Sequence, residues 1–320
     1  MQRRTFLQLT GAALAAACAG APLARSRDAT LDVAAFHRLR RHTALSFGRI
    51  AYVERGAGDV ALFLHGAPLN GYQWRGAIER LSLHRRCIAP DFMGLGYTDA
   101  ADGQSLRADA QAAMLVALMD ALGVRAADVI ASDSGTAVAQ ILAARHPARV
   151  RSLLLTNGDV EPDSPPAKVM PAIEMARAGT LADATAKWLT DRDLARSTFG
   201  AAVFAHPERL AAETIDCYAA PLVATPRRRA QYHAFHVALA PNPLAGIEAA
   251  LRRCTMPVRI VWGDADDIFA PADADYLDRT FANSRGVRRV PGGKLFFAEE
   301  FPEVIAEEAR RLWGLRVTAA

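Results

Sequence analysis

Lysine is almost missing from this chain: its positive charge is nearly all arginine, with only Lys168, Lys187 and Lys294 beside it. The bases are scattered or close to acids, 38 Lys plus Arg against 34 Asp plus Glu, so no stripe suited to a phosphate backbone forms. Nucleic acid is therefore not an expected partner. Cysteine is scarce as well. Apart from Cys18, the chain has Cys87, Cys217 and Cys254, widely spaced and without a Cys-x-x-Cys pair, so no disulfide framework is implied. No His and carboxylate cluster has metal-ligand spacing and there is no His-Glu-x-x-His, so neither a metal nor a cofactor is expected. Internal repeats and low-complexity tracts are missing too. One more absence matters for chemistry: no histidine follows His236.

With 320 residues, 51% hydrophobic and 22% charged, the chain can bury a large core, as one α/β domain with an insertion or as two domains. No acid occurs before Asp28. Arg3-Arg4 precede an apolar stretch from about Phe6 to Ala17, too short to span a bilayer as a stable anchor, and small residues follow. Residues 1–24 read as a twin-arginine export signal, which places the mature protein in the periplasm. Ala15-Ala16-Ala17-Cys18 resembles a lipoprotein box, and lipidation of Cys18 would be the one link to a membrane.

Strand, turn and helix then alternate. Phe47–Glu54, Val60–Leu64, Arg86–Pro90, Ala127–Ala131 and Val150–Thr156 read as strands, with helices over Trp74–Leu83, Leu106–Leu122 and Thr136–Arg145. The unalternating run Val60–Leu64 is what a parallel strand covered on both faces needs. From about Gly158 to Arg253 the pattern is Pro-rich and then helical, and βα units resume at Val258–Trp262, Gly286–Val290 and Pro302–Trp313. This rhythm predicts an α/β fold with a doubly wound, mostly parallel sheet. It divides the chain into core (25–157), helical cap (158–253) and core (254–320), with the site under the cap at the carboxyl ends of the strands.

The turn at Asp133 carries the chemistry. In Ala131-Ser132-Asp133-Ser134-Gly135 a strand runs into a small residue, a reactive residue, any residue and Gly, and then a helix begins. This is the spacing of a nucleophile elbow, which holds one side chain on a strained turn. Neither Ser132 nor Ser134 has Gly two residues later, so the register puts Asp133 in the reactive place. A carboxylate there can attack an sp³ carbon bearing a good leaving group and form an ester. The competing reading is a helix N-cap.

His65-Gly66-Ala67-Pro68, Asp91–Gly96, Ser132–Gly135 and Trp262–Asp266 together resemble the α/β-hydrolase superfamily, in particular its haloalkane dehalogenase and epoxide hydrolase branch. The resemblance covers about Phe47 to Trp313 and implies an α/β-hydrolase fold with an apolar halogenated or epoxide small molecule as substrate. It also implies an oxyanion hole from the amides of Ala67 and Ser134, and Asp266 as the charge-relay acid. Ala67 and Ser134 stand where dehalogenases of this branch carry halide-binding Asn and Trp. The family's catalytic histidine, counted back from Glu299, Glu300 and Pro302, falls on Leu295. Without a base, hydrolysis of an ester on Asp133 is expected to stall.

Candidate replacements are Lys294, beside Leu295, and His233 or His236, three apart in a cap helix. His65 is expected to bond backbone in the oxyanion loop. Trp74, Asn157, Asp159, Tyr232, His233 and Leu295 complete the expected pocket, and Tyr218 and Tyr232 are the cap tyrosines from which an epoxide-opening acid would come. Two classes stay open: an enzyme built on Asp133, running hydrolysis, elimination or isomerisation, and a fold-retaining binding protein without turnover.

Overall fold

The computed structural model describes residues 31–315; residues 1–24, the stretch read as an export signal with Arg3, Arg4 and Cys18, lie outside the described residues. Nine strands form one sheet: β1 Arg40–Leu45, β2 Gly48–Arg55, β3 Val60–Leu64, β4 Arg86–Pro90, β5 Asp99–Ala100, β6 Ala127–Asp133, β7 Val150–Gly158, β8 Val258–Gly263 and β9 Ser284–Val290. Their order is β1-β2-β4-β3-β6-β7-β8-β9, with the two-residue β5 beside β2. From β4 to β9 every pairing is parallel, whereas β1–β2 and β2–β4 are antiparallel. β3 and β6 are buried at every residue; β3 accordingly runs apolar without alternation, while β6 also buries Asp128, Ser132 and Asp133.

Helices Ala108–Ala121 and Ser134–Arg145 pack on one another over the sheet, and Arg75–Leu81 packs likewise with Pro302–Leu312. Trp74 belongs to this core, fully buried with its ring 5.8 Å from Phe63. β1 went unread in the sequence because Arg40, Arg41 and His42 give an edge strand little apolar patterning.

Between β7 and β8 the chain leaves the sheet. It forms helices that include Met170–Arg177, Leu181–Lys187, Ala212–Val223 and Pro226–Val237, and a π-helical turn at Arg196–Gly200. These elements cover the carboxyl ends of β3, β6 and β7. The pairing of Leu64 with Ala131 and of Asp133 with Gly158 brings three strand ends to one place.

Candidate active site

β6 ends at Asp133 and the next helix starts at Ser134, with no connecting residue. Asp133 has φ 54° and ψ −132°, the one non-glycine residue with positive φ among the described residues. Such a conformation costs about 1–3 kcal/mol and persists only where the surroundings enforce it. Gly135 is part of that enforcement: a Cβ there would lie 2.7 Å from the carbonyl oxygens of Leu64 and His65. Gly66 lets the loop after β3 approach from the other side, since its Cβ would fall 2.6 Å from the Asp133 Cβ.

That approach delivers a hydrogen bond. The Ala67 amide donates to Asp133 Oδ2 at 2.7 Å. Burial raises the Asp133 carboxyl to about 6, against the opposing pull of the Ala67 and Ser134 amides. Its side chain and that of Ser134 line a cavity of about 470 Å³. Ser134 Oγ has no hydrogen-bond partner; Ser132 is fully buried and does not line the cavity. Met175, Trp188, Phe199, Leu239 and Phe269 make most of the wall apolar. Phe199 comes from the π-helical turn, a distortion often found at functional sites.

Leu295 also lines this cavity, buried to 3%. Its loop is fastened to the cap on both sides. Lys294 Nζ donates to the Ala201 carbonyl, and the Phe296 amide donates to that of Val203. Glu300 accepts from the amides of Ala205 and His206 at 2.9 and 2.8 Å. Glu299 takes the Tyr218 hydroxyl on one oxygen and Arg75 on the other, both at 2.7 Å. Lys294 is therefore occupied away from Asp133, and Tyr218 points its hydroxyl at Glu299 rather than at a substrate.

The other expected residues separate into those at the cavity and those behind it. Asp159, Tyr232 and His236 line it; His65, Trp74, Asn157, His233 and Asp266 do not. His65 Nδ1 donates to the Gly66 carbonyl at 2.8 Å, while its Nε2 accepts from the Phe92 amide at 3.0 Å, so it braces the oxyanion loop as a neutral ring. Asp266 is held by the Asn157 side chain at 2.8 Å and the Ile268 amide at 2.9 Å, and burial pushes its carboxyl up to about 6. His233 Nε2 accepts from the Ala182 amide at 2.9 Å, tying two cap helices together. His236 Nδ1 donates to the Tyr232 carbonyl at 3.1 Å, and burial lowers the ring to about 4, so it is neutral at ordinary pH with Nε2 as acceptor. Tyr232 shares its hydroxyl with Thr185 Oγ1 at 3.1 Å.

Asp159 stands one residue beyond the partner of Asp133 on β7, buried to 7% exposure. Ser164 Oγ donates to its Oδ1 at 2.6 Å. Burial, and then the charge of Asp133, raise its carboxyl to about 7. Sequence reasoning placed Asp159 in the pocket and missed Ser164, which nothing but the Pro-rich turn after β7 could have signalled. Lys168, another cavity residue missed in the sequence, is paired with Asp267 at 2.6 Å. Among the described residues no group of three or more His, Cys, Asp or Glu gathers to hold a metal.

The pattern of the α/β hydrolase fold matches residues 60–301. The chain belongs to the α/β-hydrolase fold family. Within it, the chain is related to haloalkane dehalogenases. It is 43% identical over 105 residues to a haloalkane dehalogenase of Mesorhizobium japonicum, a match covering 32% of this chain and about a third (34%) of that relative's length. The structure is similar to that of haloalkane dehalogenase DbeA from Bradyrhizobium elkani, at TM-score 0.70 and 27% identity, over 86% of this chain and 97% of that one. It shares its fold with the epoxide hydrolase CorEH at TM-score 0.71 and 23% identity, over 86% and 98%.

Proposed function

We propose that this protein is an enzyme in which Asp133 attacks an sp³ carbon and carries the substrate as an alkyl ester. The leaving group is a halide or the oxygen of a strained epoxide, since a carboxylate is too weak a nucleophile for poorer ones. One observation carries the reading. The carboxyl of Asp133 is held on the elbow with Oδ2 on the Ala67 amide, at the floor of an apolar cavity. That grip leaves Oδ1 for attack, and the same amide, with that of Ser134, holds the ester carbonyl oxygen as charge develops on it. The cavity suits a small apolar molecule.

Leu295 favours a second reading, a binding protein without turnover, because it fills the family's base position and burial leaves His236, the imidazole at the cavity, a weak base. Covalent labelling separates the two. Butyl bromide and butylene oxide are incubated with the protein, which is followed by intact mass and peptide mapping. An adduct on Asp133, or alcohol product, that Asp133→Asn abolishes supports the enzyme; neither adduct nor product in a folded protein leaves the binding reading. Arg3-Arg4 and the apolar run after them support export to the periplasm, which fractionation and N-terminal mass spectrometry test together with lipidation of Cys18.

A further inference from the structure

We infer that Asp159 is the proton donor and then the proton acceptor for chemistry at Asp133, and that this fits the site to epoxides rather than alkyl halides. The inference rests on Asp133 being the nucleophile.

The sheet brings the two residues together, and both line the same cavity. Asp133 is paired with Gly158, so Asp159 follows at the head of the neighbouring strand. Both main chains are fixed by one hydroxyl: Thr136 Oγ1 lies 2.8 Å from the Asp133 carbonyl oxygen and 3.3 Å from that of Asp159. Gln140 Nε2 adds a bond to the Asp159 carbonyl at 2.7 Å. Ser164 then fixes Oδ1, and Oδ2 is the oxygen left for a ligand. Two carboxyls buried in one apolar cavity do not both ionise at little cost. Asp133 has the Ala67 amide to favour its charge; Asp159 has a hydroxyl. The resting pair is thus Asp133 as carboxylate and Asp159 as acid, in keeping with values of about 6 and about 7.

A halide departs as an anion and needs hydrogen-bond donors, not a proton. This cavity has one unengaged hydroxyl to offer, that of Ser134, where a halide clamp needs a pair of donors. Tyr232 is engaged by Thr185, Lys168 by Asp267, and Ala67 lends only an amide that already serves Asp133. An epoxide oxygen departs as an alkoxide and needs the proton Asp159 holds. In the first step Asp133 Oδ1 forms a bond to the epoxide carbon, the C–O bond of the ring breaks, and the oxygen takes the Asp159 proton. A hydroxyalkyl ester and an Asp159 carboxylate result. Esterification has removed the charge on Asp133 that favoured the acid form of Asp159, so Asp159 is ready as a base. It takes a proton from water as the hydroxide adds to the Asp133 Cγ. The ester C–O bond breaks, the leaving alkoxide takes that proton, and a diol departs. Asp133 is left as the acid, and passing its proton to Asp159 restores the pair. Epoxide plus water gives diol, with no net proton released.

The test is the labelling time course with butylene oxide and butyl bromide on the wild type, Asp159→Asn and Asp159→Glu. Asn keeps an oxygen for Ser164, and melting curves check each fold. The expected result is faster epoxide than bromide labelling in the wild type. Asp159→Asn should slow epoxide labelling by about 10²-fold, leave bromide labelling nearly unchanged, and prolong the life of either adduct, while Asp159→Glu recovers part of the epoxide rate. Epoxide labelling of Asp159→Asn at the wild-type rate, or bromide preferred over epoxide in the wild type, overturns the role of Asp159 and leaves Asp133 as nucleophile. The absence of an Asp133 adduct together with the absence of any diol, butanol or bromide formed from the two reagents overturns both.

Discussion

Asn157 donates its side-chain amide to Asp266 at 2.8 Å, and the same amide group bonds both the N–H and C=O of Gly263. The acid that would orient an imidazole in a relay is thereby tied to the ends of β7 and β8, with Leu295 between it and any use as a relay. In this chain the pair joins two strands.

Asp266→Asn should therefore leave Asp133 labelling almost unchanged while costing about 1–3 kcal/mol of stability, the range for disturbing a buried hydrogen-bonded group. Leu295→His should shorten the life of the Asp133 ester, and adding Asp266→Asn to that variant should cancel part of the gain. The pairwise term is read from the double-mutant cycle of ester decay rates. Equal decay with and without Asp266 in the Leu295→His background would mean that the new ring never reaches it.

The strained, buried Asp133 should be a stability liability. Its carboxyl is raised from 3.8 to about 6, so the folded state holds the proton more tightly than the unfolded one between those values, and stability falls as pH rises through that window. Asp133→Asn keeps an acceptor for Ala67 and removes the charge. It should stabilise the protein by about 2–3 kcal/mol above pH ~7 and by little below pH ~4, measured by urea unfolding at both ends.

Labelling should also depend on pH, differently for the two reagents. The titratable groups at the cavity are Asp133, Asp159, Lys168, Tyr232 and His236, with Asp163 and Asp266 behind them. Bromide labelling needs only ionised Asp133 and should decline as pH falls through about 6. Epoxide labelling also needs protonated Asp159 and should decline again above about 7, giving a bell. Identical profiles for both reagents would count against the acid role.

Gly135→Ala tests the elbow itself. The added methyl would press on the carbonyl oxygens of Leu64 and His65 at 2.7 Å, both backbone atoms. A loss of about 1–3 kcal/mol in thermal or urea unfolding is expected, together with slower labelling as the oxyanion loop is pushed away from Asp133.

Tyr218→Phe separates structure from chemistry. Its hydroxyl is committed to Glu299, so its loss should cost about 1–2 kcal/mol and leave epoxide labelling unchanged. Tyr232→Phe serves as the companion, since that ring does line the cavity.

How far the site could be read in advance followed the range of its determinants. The elbow is encoded within five residues, Ala131 to Gly135, so Asp133 was legible and its dihedral angles follow from that local spacing. The position of Leu295 was legible for the same reason, by counting from Glu299 and Pro302. His233 and His236 share a helix and look equivalent in the sequence, yet the edge of the cavity falls between them. A three-residue step leaves the two rings about 60° apart around the helix, enough to put one at the cavity and the other on the Ala182 amide. Lys294, Trp74 and Asn157 were misplaced because only tertiary contacts, with Ala201, Phe63 and Asp266, decide where those side chains lie.

The loop around Leu295 has a mechanical meaning too. Lys294, Phe296, Glu299 and Glu300 bind residues between Ala201 and Tyr218 through side chain and main chain. A segment that in a relay enzyme would carry the base is here a rivet between two layers. Local openings of the cap should then be rare, and its amides should exchange with solvent only on the same slow clock as those of β6 and β7. Denaturation should melt cap and core as a single cooperative unit. A small molecule reaching the cavity would then have to do so without the roof lifting.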